Sequence, residues 1–553
     1  MKFKLFTLLY ITLSFSIPVF SQQPKAWPAK LPVTKVPVFK RDTFNIVAYG
    51  AVNDGLTLNT KSINSAIAAC SQKGGGVVVI PRGLWLTGPI ELKSNVNLHL
   101  KADAVLSFTR DFSQYKLIQT NWEGLGAIRN QSPISGTNLV NIAITGNGIV
   151  DGNGDAWRMV KKEKLTESQW KSLVASGGVL SEDQKVWYPT ESSLKGSKVK
   201  GAGVISDGKT ANDFAEIKDF LRPNLLVLAS CKNILLEGVT FQNSPAWNIH
   251  PLMSENITIR NIYAKNPWYG QNGDGLDLES CSNVLVENSV FDVGDDGICI
   301  KSGRDAQGRK RAMPTQNVVI RNCVVYHAHG GFVIGSEMSG GAKNIYVYDC
   351  TFIGTDIGLR FKTTRGRGGV VENIFIKNIN MKDIVGEALL FDMYYAAVDP
   401  IPAAGEKRDA PKVQMLPVTE ETPSFRNFYI SNVVADGAAK AIFIRGLPEM
   451  NIHNIYLSNM TLQSNKGIEI EEAKDVHLKN INVLSKETKP VVNIVNSSNL
   501  TFDTLKHKQG AALLFNVSGD RTSKIVVTNT NVMGSINKVE LNQGAKPEAI
   551  KID

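Results

Sequence analysis

Short runs in which apolar and polar residues alternate recur along this chain, and nearly all of them open on asparagine. They start at Asn141, Asn233, Asn256, Asn283, Asn317, Asn344, Asn373, Asn427, Asn454, Asp475 and Asn499. Neighbouring starts are 23 residues apart from 233 to 256, 27 from 256 to 283, 27 from 317 to 344 and 29 from 344 to 373. The later steps are 27, 21 and 24 residues, from 427 through 454 and 475 to 499. Each run passes within a few residues into a second one, as between Val284 and Phe291. Alternation sends every other side chain to the same side, and asparagine holds a turn while tolerating left-handed backbone. A helix-free repeat of 21–29 residues with two or three short strands predicts an all-β fold: a single right-handed parallel β-helix. A leucine-rich repeat would need a ladder of leucines, and a propeller a longer period.

Breaks in the period mark long loop insertions. The step from Asn141 to Asn233 is 92 residues and contains a polar, helix-like stretch at Glu167–Ala175. The step from Asn373 to Asn427 is 54 residues and contains the Pro/Ala-rich segment Val398–Pro417. Ahead of the repeats, Ala66–Cys70 reads as the end of a short helix followed by the apolar run Val77–Ile80, an N-terminal cap covering the open end of the solenoid. The β-helix domain is therefore placed at 44–553, with an insertion at 155–222 and terminal coils and tail at 500–553. Residues 22–43, with Pro24, Pro28, Pro32 and Pro37, form an extended leader. Lys2 and Lys4 precede an apolar run from Leu5 to Phe20 and a small residue, Ser21, the pattern of a signal peptide over 1–21. The protein is expected to be exported, periplasmic or secreted, without membrane insertion, and monomeric.

The 553 residues are 43% hydrophobic and 20% charged, which excludes a disordered chain. A formal charge of +10 suits a polyanionic partner. Cys70, Cys231, Cys281, Cys299, Cys323 and Cys350 form no CxxC pair or zinc-ligand spacing and are read as buried free thiols.

The repeat aligns chemistry as well as strands. Asp274 lies 21 residues before Asp295 and the adjoining Asp296, one coil away, so three carboxyls are expected within a few ångströms. They cannot all ionise freely, and one should be pushed toward its acid form. An acid beside ionised carboxylates is what glycoside hydrolysis uses. Turn-forming Asp-Gly pairs and a calcium site are the competing readings. Arg360 and Lys362, two apart on one strand, face the same way and require something anionic opposite, for which a carboxylated sugar is the candidate. His329, followed by two glycines, could orient or tune the acid.

Asn272-Gly273-Asp274, Gly294-Asp295-Asp296, His329-Gly330 and Arg360-Phe361-Lys362 resemble, in order, the four signature blocks of glycoside hydrolase family 28, the polygalacturonase family. The segments Tyr49–Asp54, Gly83–Ser94 and Ser244–His250 look similar to it too, so the resemblance spans nearly all of 44–500. Gly273 replaces the family's threonine, Ala328 its first glycine and Phe361 its isoleucine, and Gly294 abuts the aspartate pair directly. The resemblance implies inverting hydrolysis of α-1,4 bonds next to galacturonate, without cofactor or metal. Asp295 would be the general acid, Asp274 and Asp296 would hold the attacking water, and His329 would support the acid. Arg360 and Lys362 would bind the galacturonate carboxylate, Asn272 and His250 the sugar, and Tyr395 or Tyr394 would complete the site. The partner is then an acidic polysaccharide, not nucleic acid. Alternatives are a rhamnogalacturonan galacturonohydrolase, a calcium-dependent pectate lyase and a non-catalytic polysaccharide-binding β-helix. The large insertion and the basic loop Gly303–Pro314, holding Arg304, Arg309, Lys310 and Arg311, are expected to wall one end of the groove and favour exo-action.

Overall fold

The computed structural model describes residues 27–205, 208–395 and 414–553, so the signal-peptide segment and most of Val398–Pro417 lie outside the described residues. The repeats wind into a right-handed parallel β-helix whose described strands join into a 23-stranded and a 14-stranded parallel sheet. One coil reads Leu276–Glu279, Ser282–Glu287 and Val290–Asp292. The first of these belongs to the 14-stranded sheet and the other two to the larger one. Further along, the second and third strands fuse into 13-residue strands such as Val370–Lys382 and Ile452–Ser464.

Register explains why the alternation is needed. Ile142, Ile234, Ile257, Val284, Val318, Ile345 and Ile374 pair coil upon coil, followed by Phe428, Ile455, Val476, Leu500 and Ile525. All of them are buried. Each such side chain contributes about 1.5–3 kcal/mol on burial, and each has a like-shaped neighbour above and below.

The asparagines hold the corner beside this stack. Those opening the runs, with Asp475, have φ between 54° and 59°. Their side-chain amides bond from coil to coil, as in Asn233 to Asn141 (2.8 Å), Asn317 to Asn283 (3.2 Å) and Asn454 to Asn427 (3.0 Å). Neither long interval adds a coil. Val140 pairs with Lys232 and Val371 with Phe425, so 92 and 54 residues each complete one turn.

Helix Thr60–Gln72 caps the N-terminal end, burying Ile63, Ala66, Ile67 and Cys70 against the core. The leader runs along the outer face of the 23-stranded sheet. There Thr34 bonds Thr258 (2.9 Å), and Trp27 packs edge-on to Tyr348, with the Lys377 ammonium 4.0 Å from the Trp27 ring centroid. All six cysteines are buried free thiols. The insertion folds into a three-stranded antiparallel sheet with helix Glu167–Ala175 and helix Glu191–Ser197. It enters just before the cleft-sheet strand Leu226–Ala229, and helix Asp305–Arg311 follows the strand Asp296–Lys301. Both therefore border the 14-stranded sheet.

Candidate active site

The outward face of the 14-stranded sheet carries the chemistry. Leu276 pairs with Ile298, which sets Asp274 opposite Asp296, and Ile298 pairs with Phe332, which sets Asp295 opposite His329. Oxygens of Asp274, Asp295 and Asp296 lie within 4.8 Å of one another. The turn before Asp274 is tight enough to explain Gly273, since a Cβ there would stand 2.6 Å from the Gly270 carbonyl oxygen.

The three carboxyls have different surroundings. Burial, reinforced by Asp277 and Asp295, pushes Asp274 well above the usual carboxylate range, although the Lys301 ammonium lies 3.6 Å away. Burial would raise Asp296 too, but Lys362 at 2.8 Å and Arg360 at 3.2 Å hold it well below that range. Asp295 is also buried, yet the hydrogen bond from His329 (Nδ1 to Oδ1, 3.2 Å) lowers it. The same bond raises His329, whose Nε2 is 3.6 Å from Asp356. Asp295 Oδ1 also accepts from the Asp296 amide (2.9 Å), and its Oδ2 from the Asn272 amide (3.1 Å).

The expectation of one carboxyl held in its acid form is thus met at Asp274 rather than Asp295. Asp295 is surrounded by donors, whereas Asp274 faces fellow carboxylates. Asp274 and Asp295 are close enough to influence each other's proton, while Asp296 stays ionised. The anion opposite Arg360 and Lys362 is supplied by the chain itself, as Asp296. Two cations on one carboxylate still leave one positive charge at the cleft. A cation ligand set exists in Asp274, Asp295 and Asp296, but Lys362 and Arg360 already bond both oxygens of Asp296.

Of the two candidate tyrosines, Tyr395 lies beside the cationic pair, with Lys362 Nζ 4.9 Å from its ring centroid. Tyr394 is buried between Arg365 and Arg445. His250, expected to touch sugar, is instead 1% exposed, with Nε2 3.0 Å from Glu279 and its ring edge-on to Trp247. The arginines of the basic loop bind the protein itself. Arg311 bonds Glu279 (2.6 Å), Arg309 bonds the Gly366 carbonyl (2.6 Å) and Glu421 (3.1 Å), and Arg304 lies 3.5 Å from Glu123. These arginines bind protein acids and carbonyls, so they build the wall instead of gripping a ligand.

That wall is an arch. Hairpin Leu117–Trp122 and Leu125–Asn130 meets helix Asp305–Arg311, where the Arg304 amide donates to the Gly124 carbonyl (3.1 Å) and the Gly126 amide to Gln307 (2.8 Å). Beneath it Trp122 stacks on Trp247 (5.7 Å), with Arg129 on the first ring and Lys301 4.0 Å from the second. His250, Asp277 and Glu279, which face outward from the sheet, are sealed under this arch. On the other side of the carboxyls the outward positions Leu390, Phe443, Glu469, Asn493 and Asn516 are partly open to solvent.

Sequence reasoning missed Arg222, at the end of the insertion. Its buried guanidinium donates to the carbonyls of Pro245 and Gln271 (both 2.9 Å) and to the side-chain oxygen of Asn272 (2.9 Å), while Arg129 caps its own carbonyl. Arg222 thereby fixes the residue whose amide bonds Asp295. No periodic signal marks it.

The glycosyl hydrolases family 28 pattern matches residues 180–437, and a rhamnogalacturonase A/epimerase, pectate lyase-like pattern matches 43–198. A probable polygalacturonase of Vitis vinifera is 32% identical over 428 residues, 76% of this chain and 74% of that protein. The exo-poly-alpha-D-galacturonosidase of Dickeya chrysanthemi is 29% identical, covering 79% and 70%. The crystal structure of a hyperthermoactive exopolygalacturonase from Thermotoga maritima superposes with a TM-score of 0.62 at 30% identity, covering 82% of this chain and 94% of that one. Sequence, fold and cleft agree: the chain belongs to glycoside hydrolase family 28 and is a glycoside hydrolase.

Proposed function

We propose that this enzyme removes galacturonate units from the end of a pectin chain by hydrolysing α-1,4 bonds with inversion. The observation that carries the reading is the carboxyl cluster, in which burial and neighbouring carboxylates push Asp274 toward its acid form, set between the arch and the cationic pair Arg360 and Lys362. The shared proton rests on Asp274 in the open site and serves on Asp295 when a glycosidic oxygen lies there. The same number of protons is then held at a different address, and Asp274 becomes the base. Donors from His329, Asn272 and Asp296 stabilise the anion left on Asp295 as the proton departs, which makes it a stronger acid.

The oxygens of the cluster are closer than the roughly 6.5–9.5 Å carboxyl separation associated with inversion. A covalent intermediate would need a free carboxylate nucleophile, and Asp296 has both oxygens tied to Lys362 and Arg360. Asp274, ionised once the proton is on Asp295, acts in this reading as base to a water held against Asp296, and the anomer of the first product distinguishes this from direct attack by Asp274. Surplus positive charge at Arg360 and Lys362, beside Tyr395, suits a sugar carboxylate. The exo assignment is supported by the arch and by the exo-acting relatives. Export through the segment 1–21 belongs to the same reading and would be checked by sequencing the N-terminus of the mature protein.

Digestion of polygalacturonate with and without chelator tests the function. Reducing ends released as mono- or digalacturonate, with viscosity falling late and no ultraviolet-absorbing product, are expected in both conditions. An unsaturated product that chelator abolishes would replace the reading with a lyase. A ladder of mixed oligomers would overturn exo-action, and no product would leave a binding protein. Proton NMR of the first product should show the β-anomer.

A further inference from the structure

Beyond the cationic pair, the 14-stranded sheet continues through strands Glu387–Asp392, Lys440–Arg445, Lys466–Glu471, Val492–Val495 and Ala511–Ser518. Its outward positions are not uniform. A cavity of about 350 Å³ opens there, lined by Lys440, Lys466, Lys489, Glu469, Asn493 and Asn516 among others. It lies on the same face as Asp296 and Arg360, and the register Arg360, Leu390, Phe443, Glu469, Asn493, Asn516 runs straight into it.

The charges in the cavity favour an anion. Lys440 is bonded to Glu469, so that pair cancels. Glu471, the next outward residue on the same strand, is buried, and desolvation together with Glu469 pushes its carboxyl up to about 8, so it is neutral at neutral pH. Lys466 and Lys489 are exposed and, among the described residues, have no ion-pair partner; they outweigh the one further acid of the lining, Glu487. The floor is a ladder of amides. Asn542 donates to Asn516 (2.6 Å), Asn516 to Asn493 (2.7 Å) and Asn493 to Glu469 (3.3 Å). Side-chain amides over lysines are suited to sugar hydroxyls and a carboxylate.

Position supplies the second argument. Lys440 is four strands from Asp296 and Lys466 five, about 19–24 Å at the strand spacing of a sheet. A pyranose ring is about as long as one strand spacing, so a chain laid across the strands advances about one sugar per coil. The arch closes the opposite direction, and a polymer reaching the carboxyls must extend this way.

We propose that the Lys440–Lys466–Lys489 cavity is a distal subsite that binds the carboxylate of a uronate unit four to five sugars beyond the scissile bond. The proposal rests on the exo-polygalacturonase reading. It gives the enzyme a hold on long chains that short ones cannot use, and turns the face of the C-terminal coils into a binding track.

The test compares kcat/KM on oligogalacturonates of two to eight units for the wild type, Lys466→Glu and Lys489→Gln. The wild type should improve with length, mainly between four and seven units, while both variants lose about two- to fivefold of that gain, a loss matching one exposed charge contact each. On digalacturonate all three should be equal. A wild type indifferent to length beyond three units, or variants impaired equally at every length, would overturn the subsite. Failure of the wild type to cleave any galacturonate oligomer would instead overturn the function, so the two failures are distinct. Both lysines are exposed, and unchanged thermal unfolding of each variant would separate binding from folding.

Discussion

Two sides of the same coil obey opposite rules. At the asparagine corner each coil repeats the last: the same left-handed residue, the same amide bond, the same aliphatic neighbour inside. Across the catalytic coils of the cleft sheet no two neighbours carry the same outward side chain in one register; the stack runs His250, Asp277, Cys299, Val333, Arg360 and Leu390. Likeness at the corner stabilises by stacking, whereas unlikeness on the cleft collects groups that perturb one another. Stability and reactivity are therefore allotted to different sides of one solenoid, and substitutions can separate them.

Asp295→Asn should separate them most sharply. An amide cannot supply the proton, and kcat should fall about 10²–10⁴-fold while the thermal midpoint and binding of galacturonan stay close to wild type. A variant keeping a tenth of the rate would remove Asp295 from the acid role. Lys362→Met should blur the division, because it leaves Asp296 buried with only Arg360. Breaking one arm of a buried pair costs about 3–5 kcal/mol, so denaturant unfolding and turnover should both suffer.

The pH profile should follow from the shared protons. Asp274 and His329 are both raised, so their protons are in place at low pH and lost as pH rises through those raised values. Asp296 is lowered and stays ionised well into acid. Activity should persist at acidic pH and decline by up to about tenfold per unit once the His329 proton is lost; rates that climb from neutral to alkaline pH would contradict this proton inventory.

Arg222→Lys removes the fork that joins Gln271, Pro245 and Asn272. Misplacing Asn272, and through it Asp295, should lower kcat about tenfold with little change in KM, measured by initial rates. At the corner, Asn454→Ala should cost about 2 kcal/mol, from left-handed backbone and a lost amide bond, and Asn454→Gly about half of that, with kcat unchanged in both. Loss of activity in either would break the division between the two sides.

The same division decides what the sequence disclosed. The corner was legible because its rule is local: an asparagine, an alternating run and a step of one coil. The carboxyl cluster was legible for the same reason, since Asp274 and Asp296 occupy equivalent places on successive coils. What depended on distant chain was not. Arg222 reaches Asn272 across 50 residues, and Arg304 reaches Glu123 across 181, with no repeat to announce either. The need for an anion opposite Arg360 and Lys362 could be read, but not that Asp296 would meet it. Which carboxyl keeps the proton depends on desolvation and on the neighbours that folding brings together. Only the resemblance of Ser244–His250 assigns His250 to the sugar, and the arch buries it.

The arch also changes what counts as a substrate molecule. A groove with one blind end admits only chain termini, so under the proposed function the rate follows the number of ends and not the mass of polysaccharide. Each internal cut made by another enzyme in the same pectin creates one more starting point, at no change in total sugar. The enzyme would then work fastest on material already fragmented, harvesting small acids from debris while leaving an intact gel almost as viscous as it found it.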